Sequence, residues 1–256
     1  MADLMCLLCG NPTDQIGRFC TSCVGEVGPA SAPSWGRPVR LGEARLRLLR
    51  TIQWPVVLLL FAGVGVAGAR AAESWQATRQ AHVAVFTHTA RSLSVAQLAI
   101  TIATGAVFLA WWALAYRNLG ALGIRRRNPT SWAVLSWFVP LVSLVAPKRV
   151  AEELRAGSDA DTPLGWSYGR GTMSPLVTGW WVCWLASLAL PVAANLALPL
   201  AMRRPELVGV FGAAFLASGL LVGVAGLCAA VLVGQVTGGQ AARAQALTDA
   251  GLLGPA

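Results

Sequence analysis

Five long apolar runs divide this chain, and its polar residues gather ahead of them and between them. The runs cover about 52–69, 94–115, 131–147, 176–200 and 207–236. A helix needs roughly 20 apolar residues to cross a ~30 Å hydrocarbon core, so the first, second, fourth and fifth runs predict membrane-spanning helices. The third is short and carries Pro140, which removes a backbone donor in mid-segment. It predicts a short Pro-kinked re-entrant segment or a fifth span. Irregular backbone at that depth has to be covered by protein. Ahead of the first run, residues 41–51 show a helical period, with Arg40, Glu43, Arg47 and Arg50 on one face and Leu41, Ala44, Leu48 and Ile52 on another. Residues Lys148 to Arg155 predict a surface helix with Val150 and Leu154 turned inward. There Glu152 and Glu153 follow Lys148 and Arg149 by four residues, which reads as ion pairing on a helix surface and not as a catalytic carboxylate dyad.

The polar beginning carries Cys6-x2-Cys9-x10-Cys20-x2-Cys23. Each CxxC makes a tight knuckle that points two sulfurs at one ion, and Zn²⁺ takes four thiolates tetrahedrally. Gly10 follows Cys9 where such a knuckle needs a positive φ, and Phe19 can cover the ion. The string CLLCGNPTDQIGRFCTSC closely resembles small bacterial zinc-ribbon knuckle pairs. All four positions are filled, so the metal is structural Zn²⁺ and supplies nearly all the folding energy of so short a module. Paired redox dithiols are the alternative, but no βαβ pattern surrounds them. Thiolate zinc sites persist in a reducing compartment, which places the N-terminus in the cytosol. Residues 26–40 (VGPASAPSWGRP within them) read as a flexible linker. The organisation expected is therefore a zinc ribbon at 1–25, a linker with a basic juxtamembrane helix at 26–51, a helical membrane domain at 52–240 and a polar tail at 241–256. The fold class expected is an all-α polytopic integral membrane protein: four full transmembrane helices, one short re-entrant or fifth span, and a small N-terminal zinc ribbon.

Composition agrees. The chain is 55% hydrophobic and 12% charged, where a soluble domain carries about 25% charged residues, and its mean hydropathy is +0.59. The net charge of +9 does not call for nucleic acid, because the cations sit beside apolar spans, as membrane electrostatics requires. Arg40, Arg47 and Arg50 are placed to meet anionic lipid, or simply to mark topology. Among the 20 basic residues only Lys148 is lysine, a usage associated with GC-rich bacterial genomes. No cleavable signal peptide is visible; the reading is a bacterial plasma-membrane protein, multi-pass, with its N-terminus inside. If the third run does not cross, Lys148, Arg149, Arg155, Arg170 and Arg243 join the inner side and only Arg203 and Arg204 leave it, which the positive-inside bias favours. Trp54, Trp111, Trp112, Trp180 and Trp181 then fall near the inner ends of spans, where amphipathic rings prefer the headgroup level.

Within the spans, Gly179, Cys183, Ser187, Pro191, Asn195 and Pro199 form a series at four-residue steps. Pro191 frees the carbonyl of Ser187, and Pro199 that of Asn195. Ser187 and Asn195 either line a small polar cavity or serve helix packing, with Gln97, Thr101 and Gly105 as candidate partners. Gly219-x3-Gly223 lets helices approach closely, within one subunit or in a homo-oligomer. No Asp, Glu, Lys or His stands in the middle of a span, which argues against coupled transport and proton relay. Cys183 and Cys228 read as buried, inert thiols, and His82 and His88 as loop residues.

Trp111 and Trp112 ahead of Arg117-Asn118-Leu119, then Trp132, Trp137-Phe138-Val139-Pro140 and Pro147 leading into an amphipathic helix, resemble a bacterial membrane family known as domain of unknown function 4328. The resemblance implies a domain over about 90–240. One departure is Ser143, where the family tends to carry Asn. The family supplies no reaction. Three functions compete: a non-enzymatic membrane adaptor or sensor whose ribbon meets an unknown cytosolic protein; a small-solute channel or transporter component; and a lipid-modifying enzyme, for which only Glu152 and Glu153 stand near an interface. The first is the reading the sequence favours.

Overall fold

Helices form wherever the apolar runs lie, and most extend beyond them. The computed structural model describes residues 4–5, 12–13, 43–79, 88–164, 166, 173–201 and 208–250. Helix α1 spans Glu43–Arg79, α2 His88–Ala121, α3 Thr130–Leu135, α4 Ala146–Ser158, α5 Pro175–Ala201 and α6 Val208–Asp249, with a 3-10 turn at Val142–Leu144. Two short strands, β1 at Leu4–Met5 and β2 at Pro12–Thr13, pair antiparallel with Leu4 opposite Thr13 and Met5 opposite Pro12.

Among the described residues, four helices are long and apolar enough to cross a membrane, over Arg45–Arg70, Ser92–Ala121, Pro175–Ala197 and Ala213–Asp249. The protein is thus a multi-pass membrane protein with four transmembrane helices. The third apolar run is no fifth crossing. It forms the six-residue α3, a turn through Pro140 and Leu141, and the 3-10 turn ahead of α4. At 1.5 Å per residue α3 is about 9 Å long, well short of the hydrocarbon core. The juxtamembrane residues and the first span are one continuous helix, α1. On it Leu49 is buried and Leu46 half-buried while Leu48 is exposed, so the inward face is not the one the helical period suggested.

The chain divides into two compact units. Unit one comprises Met1–Trp54, Leu109–Ser174 and Leu232–Ala256; unit two comprises Pro55–Phe108 and Pro175–Val231. In unit two α1 and α6 approach closely: a Cβ on Gly226 would stand 2.9 Å from Val64 Cγ2, and one on Gly223 3.7 Å from Val64 Cγ1. The Ser187 carbonyl, which Pro191 deprives of its helical donor, accepts the Ser218 hydroxyl at 2.8 Å. Phe108, Trp180, Trp181 and Trp184 make a chain of ring contacts, with centroids 6.4, 5.4 and 4.9 Å apart in turn. Leu58, Ile102 and Leu196 face outward, as side chains meeting lipid would.

Candidate functional site

In unit one the last turns of α2 carry Tyr116, Asn118 and Leu119, α4 carries Glu153 and Ser158, and the last turns of α6 carry Thr237, Gln240 and Arg243 at three-residue steps. Such steps place side chains on one helix face. Each then meets groups of another segment. Trp111 Nε1 donates to Thr237 Oγ1 at 3.2 Å. Gln240 Nε2 donates to the Ala115 carbonyl at 2.8 Å and to Ser158 Oγ at 3.3 Å, and Gln240 Oε1 accepts from Asn118 Nδ2 at 3.1 Å. Ser158 Oγ in turn donates to the Leu154 carbonyl at 2.6 Å. Beside this network a Cβ on Gly239 would lie 2.6 Å from the Ser158 carbonyl oxygen. That is main chain, which cannot swing away, so only glycine lets α6 come so near the end of α4.

One turn further on, Arg243 is 1% exposed. Its Nε donates to the Leu122 carbonyl at 3.0 Å, and its Nη1 to the carbonyls of Asp159 at 2.9 Å and Thr162 at 2.6 Å. Leu122 follows α2 and Asp159 follows α4. Helix C-termini carry roughly half a negative charge each, so two of them share one guanidinium, and the charge of the nearby Asp159 carboxylate adds to their pull against its burial. Among the described residues Arg243 Nη2 and Asn118 Oδ1 keep no hydrogen-bond partner. Leu122, Ala244 and Leu247 close an apolar cluster around this point, with Leu46 and Leu164 packed on it.

Glu153 is buried as deeply, also 1% exposed. Its Oε1 accepts from the Arg127 backbone N–H at 2.7 Å and its Oε2 from the Tyr116 hydroxyl at 3.0 Å. The Tyr116 oxygen accepts from the Asn128 N–H at 3.3 Å, and the Arg126 guanidinium carbon stands 5.8 Å from the Tyr116 ring centroid. Burial raises the Glu153 carboxyl above its ordinary range, against the opposing pull of the Arg127 N–H, the Tyr116 hydroxyl and the nearby cations. Glu153 is therefore no surface ion pair with Arg149, as its i,i+4 spacing suggested. Its partners come from α2 and the following loop, which local spacing cannot reveal. Glu152 does pair with Lys148 at 2.8 Å, but it too is buried.

A cleft of about 360 Å³ borders α4, lined among others by Glu152, Arg155, Asp159, Asp161, Trp166 and Ser174. Some of its lining groups are already engaged: Arg155 Nε donates across to Gln235 Oε1 on α6 at 3.3 Å, and the Asp161 backbone N–H donates to Asp159 Oδ1 at 3.2 Å. Among the described residues no group of three or more His, Cys, Asp or Glu side chains is placed to hold a metal ion. What the polar core does chemically is fix positions. It ties the ends of two spans to α4.

The family model described as domain of unknown function DUF4328 matches residues 74–238, more than half of the chain. The chain belongs to the DUF4328 family. No curated protein and no solved structure matches it. The elements that carry the DUF4328 resemblance are the ones that build unit one. Trp112 Nε1 donates to the Ala133 carbonyl at 3.1 Å, and its ring meets Trp137 edge-on with centroids 5.8 Å apart. Asn118 enters the Gln240 network, and Pro147 stands in the first turn of α4. The matched region ends just ahead of Gly239, Gln240 and Arg243. From sequence, Gly239 and Gln240 drew no reading and Arg243 counted only as a cation marking topology, although polar residues at three-residue steps on an apolar helix are a visible signal.

The remaining expected residues fall as follows. Cys6, Cys9, Cys20 and Cys23 lie outside the described residues, as do Arg40 and His82. Ser187 is buried and its Oγ donates to the Trp184 carbonyl at 2.7 Å. Asn195 is exposed and its Nδ2 donates to the Pro191 carbonyl at 2.8 Å. Gln97 bonds Thr101 on its own helix at 3.3 Å, so the neighbour that Ser187 meets is Ser218 and not the second span. Gly219 is half-buried, and Gly223 faces Val64 within the chain. Trp111, Trp112, Trp180 and Trp181 are buried within the protein, and Trp54 is exposed. Cys183 and Cys228 are half-buried free thiols.

Proposed function

We propose that this DUF4328 protein is a non-enzymatic membrane adaptor or sensor: a zinc ribbon in the cytosol, tethered to a membrane part with four spanning helices. The observation that carries the reading is the pairing of β1 with β2. Leu4–Met5 and Pro12–Thr13 bracket Cys6 and Cys9, and a hairpin closed around CxxC is how a zinc knuckle presents two thiolates to one ion. Four cysteines and no other donor suit a closed, structural Zn²⁺ site. The polar groups of unit one support the same reading, since Gln240, Arg243 and Glu153 are engaged in holding helices together.

On this reading the N-terminus and the connection 122–174 face the cytosol of a bacterial plasma membrane. Arg47 and Arg50, both exposed, stand with Arg40 at the anionic inner leaflet, and the ribbon meets a cytosolic protein. Gly223 is not the contact of a homo-oligomer on this reading, since its small face is already used within the chain against Val64. The test is metal analysis of the purified full chain combined with protease access in right-side-out and inverted vesicles. About one zinc per chain is expected from a single four-thiolate site, with loss on Cys9→Ser and cleavage of residues 1–40 only in inverted vesicles. A metal-free protein, or cleavage from outside, would sink the reading.

A further inference from the structure

The third apolar run has an unusual construction for a loop. Its inner side is pinned in unit one: Ala133 and Ser136 are buried, Ser136 Oγ donates to the Ala133 carbonyl at 3.3 Å, and Trp112 holds that same carbonyl. Its outer side is apolar and bare. Trp132, Leu135, Phe138, Leu141, Leu144 and Val145 are all exposed, Phe138 at 66% and Leu141 at 80%. Leu141 also takes a left-handed backbone, φ 64°, at the tip of the turn. A turn facing water normally fills such a position with Gly or Asn.

The main chain closes upon itself. Between Ser136 and Val145 there are nine backbone N–H groups, because Pro140 has none. Seven of them, those of Ser136, Trp137, Phe138, Val142, Ser143, Leu144 and Val145, donate to carbonyls within 132–142 at 2.8–3.2 Å. Hydrocarbon tolerates irregular backbone only where its polar groups are satisfied internally. A loop bathed in water has no such need. Cations frame the run at both ends, with exposed Arg125 and Arg127 before it and half-buried Lys148 and exposed Arg149 after it. Unit one also holds one end of every spanning helix: α1 up to Trp54, α2 from Leu109, the residues leading into Pro175, and α6 from Leu232. In a chain that crosses four times those ends share one side, at the level where lipid headgroups lie.

We propose that residues 131–147 form a lipid-binding wedge, whose outer side chains enter one leaflet while the exposed Arg127 and Arg149 hold anionic phospholipid headgroups. The occupant is lipid and not protein because the exposed apolar face belongs to a chain with four membrane-spanning helices, its main chain satisfies itself as hydrocarbon requires, and exposed Arg125, Arg127 and Arg149 flank it. The inference rests on the four crossings and is independent of the zinc ribbon, so metal analysis and this test fail separately.

The experiment places a photoreactive benzophenone amino acid at position 138 of the full chain. The protein is reconstituted into nanodiscs of phosphatidylcholine, with or without phosphatidylglycerol, and adducts are read by mass spectrometry. The same probe at the lipid-facing position 196 is the positive control. Phospholipid adducts at 138 are expected, with phosphatidylglycerol over-represented relative to its share. Arg149→Glu should lower that preference by about fivefold or more, from roughly 1 kcal/mol for each cation near an anionic surface, while the yield at 196 is unchanged and shows that the variant folds. Adducts to a second copy, to residues 1–42 of the same chain or to water alone would overturn the proposal. So would equal use of the two lipids.

Discussion

The two units are held together by different chemistry. Unit two relies on shape. Gly226 admits Val64, four aromatic rings interlock, and one serine hydroxyl answers the carbonyl that Pro191 left open. Unit one relies on directed hydrogen bonds from side chains that are fully buried, above all Gln240 and Arg243. Lipid tails are as apolar as leucine, so in the hydrocarbon region helices gain most by close contact of small residues. Toward the span ends helix termini leave carbonyls without partners, and there a buried donor contributes more than another methyl group.

That contrast can be broken by mutation. Arg243→Leu should have the largest effect, about 4 kcal/mol, since it takes the donor from the buried Leu122 carbonyl and from the carbonyls of Asp159 and Thr162, and loosens the tie between α2, α4 and α6. The measurement is denaturant unfolding in detergent micelles, where a loss under 1 kcal/mol would mean that water replaces the guanidinium. Gly239→Ala should follow at about 3 kcal/mol, because its Cβ meets main chain that cannot yield. Gly226→Ala, in unit two, should cost only about 1 kcal/mol because its obstacle is the Val64 side chain, which can shift. Equal losses at the two glycines would erase the distinction between the units.

Glu153→Gln is the mildest change and the one read through pH. The Glu153 carboxyl is raised by burial, so the folded protein binds that proton more tightly than the unfolded chain does. Its contribution is full below the unfolded value near ~4.3 and is lost as pH rises through the folded value. Stability of the parent should therefore gain slightly on going from neutral pH toward pH ~5, and Glu153→Gln should flatten that gain. A parent less stable at the lower pH, with the slope abolished in the variant, would mean that the Tyr116 and Arg127 donors outweigh burial.

Some of this was legible residue by residue. The freed carbonyl of Ser187 follows from Pro191 alone, although its partner Ser218 does not. The inward face of α4, with Val150 and Leu154, follows from helical period. What the tryptophans touch did not follow: interfacial preference is a property of an isolated span, and it does not reveal that Trp111, Trp112, Trp180 and Trp181 are buried against protein neighbours. The pairing of Glu153 failed for a related reason, since the i,i+4 rule sees one helix and Tyr116 stands on another.

Chain order and hydropathy by themselves determined the membrane class and the four runs long enough to cross, because burying apolar runs of about 20 residues in lipid is a local requirement that each run meets alone; the family was legible from the spacing of its tryptophans and prolines. Only the tertiary structure decided that the third run folds back as a self-bonded hairpin, that α6 continues through Arg243 to Asp249, and that buried charges are met by helix ends and a tyrosine. Those outcomes depend on which segments become neighbours, and a buried donor or acceptor takes its partner from whatever segment stands opposite it.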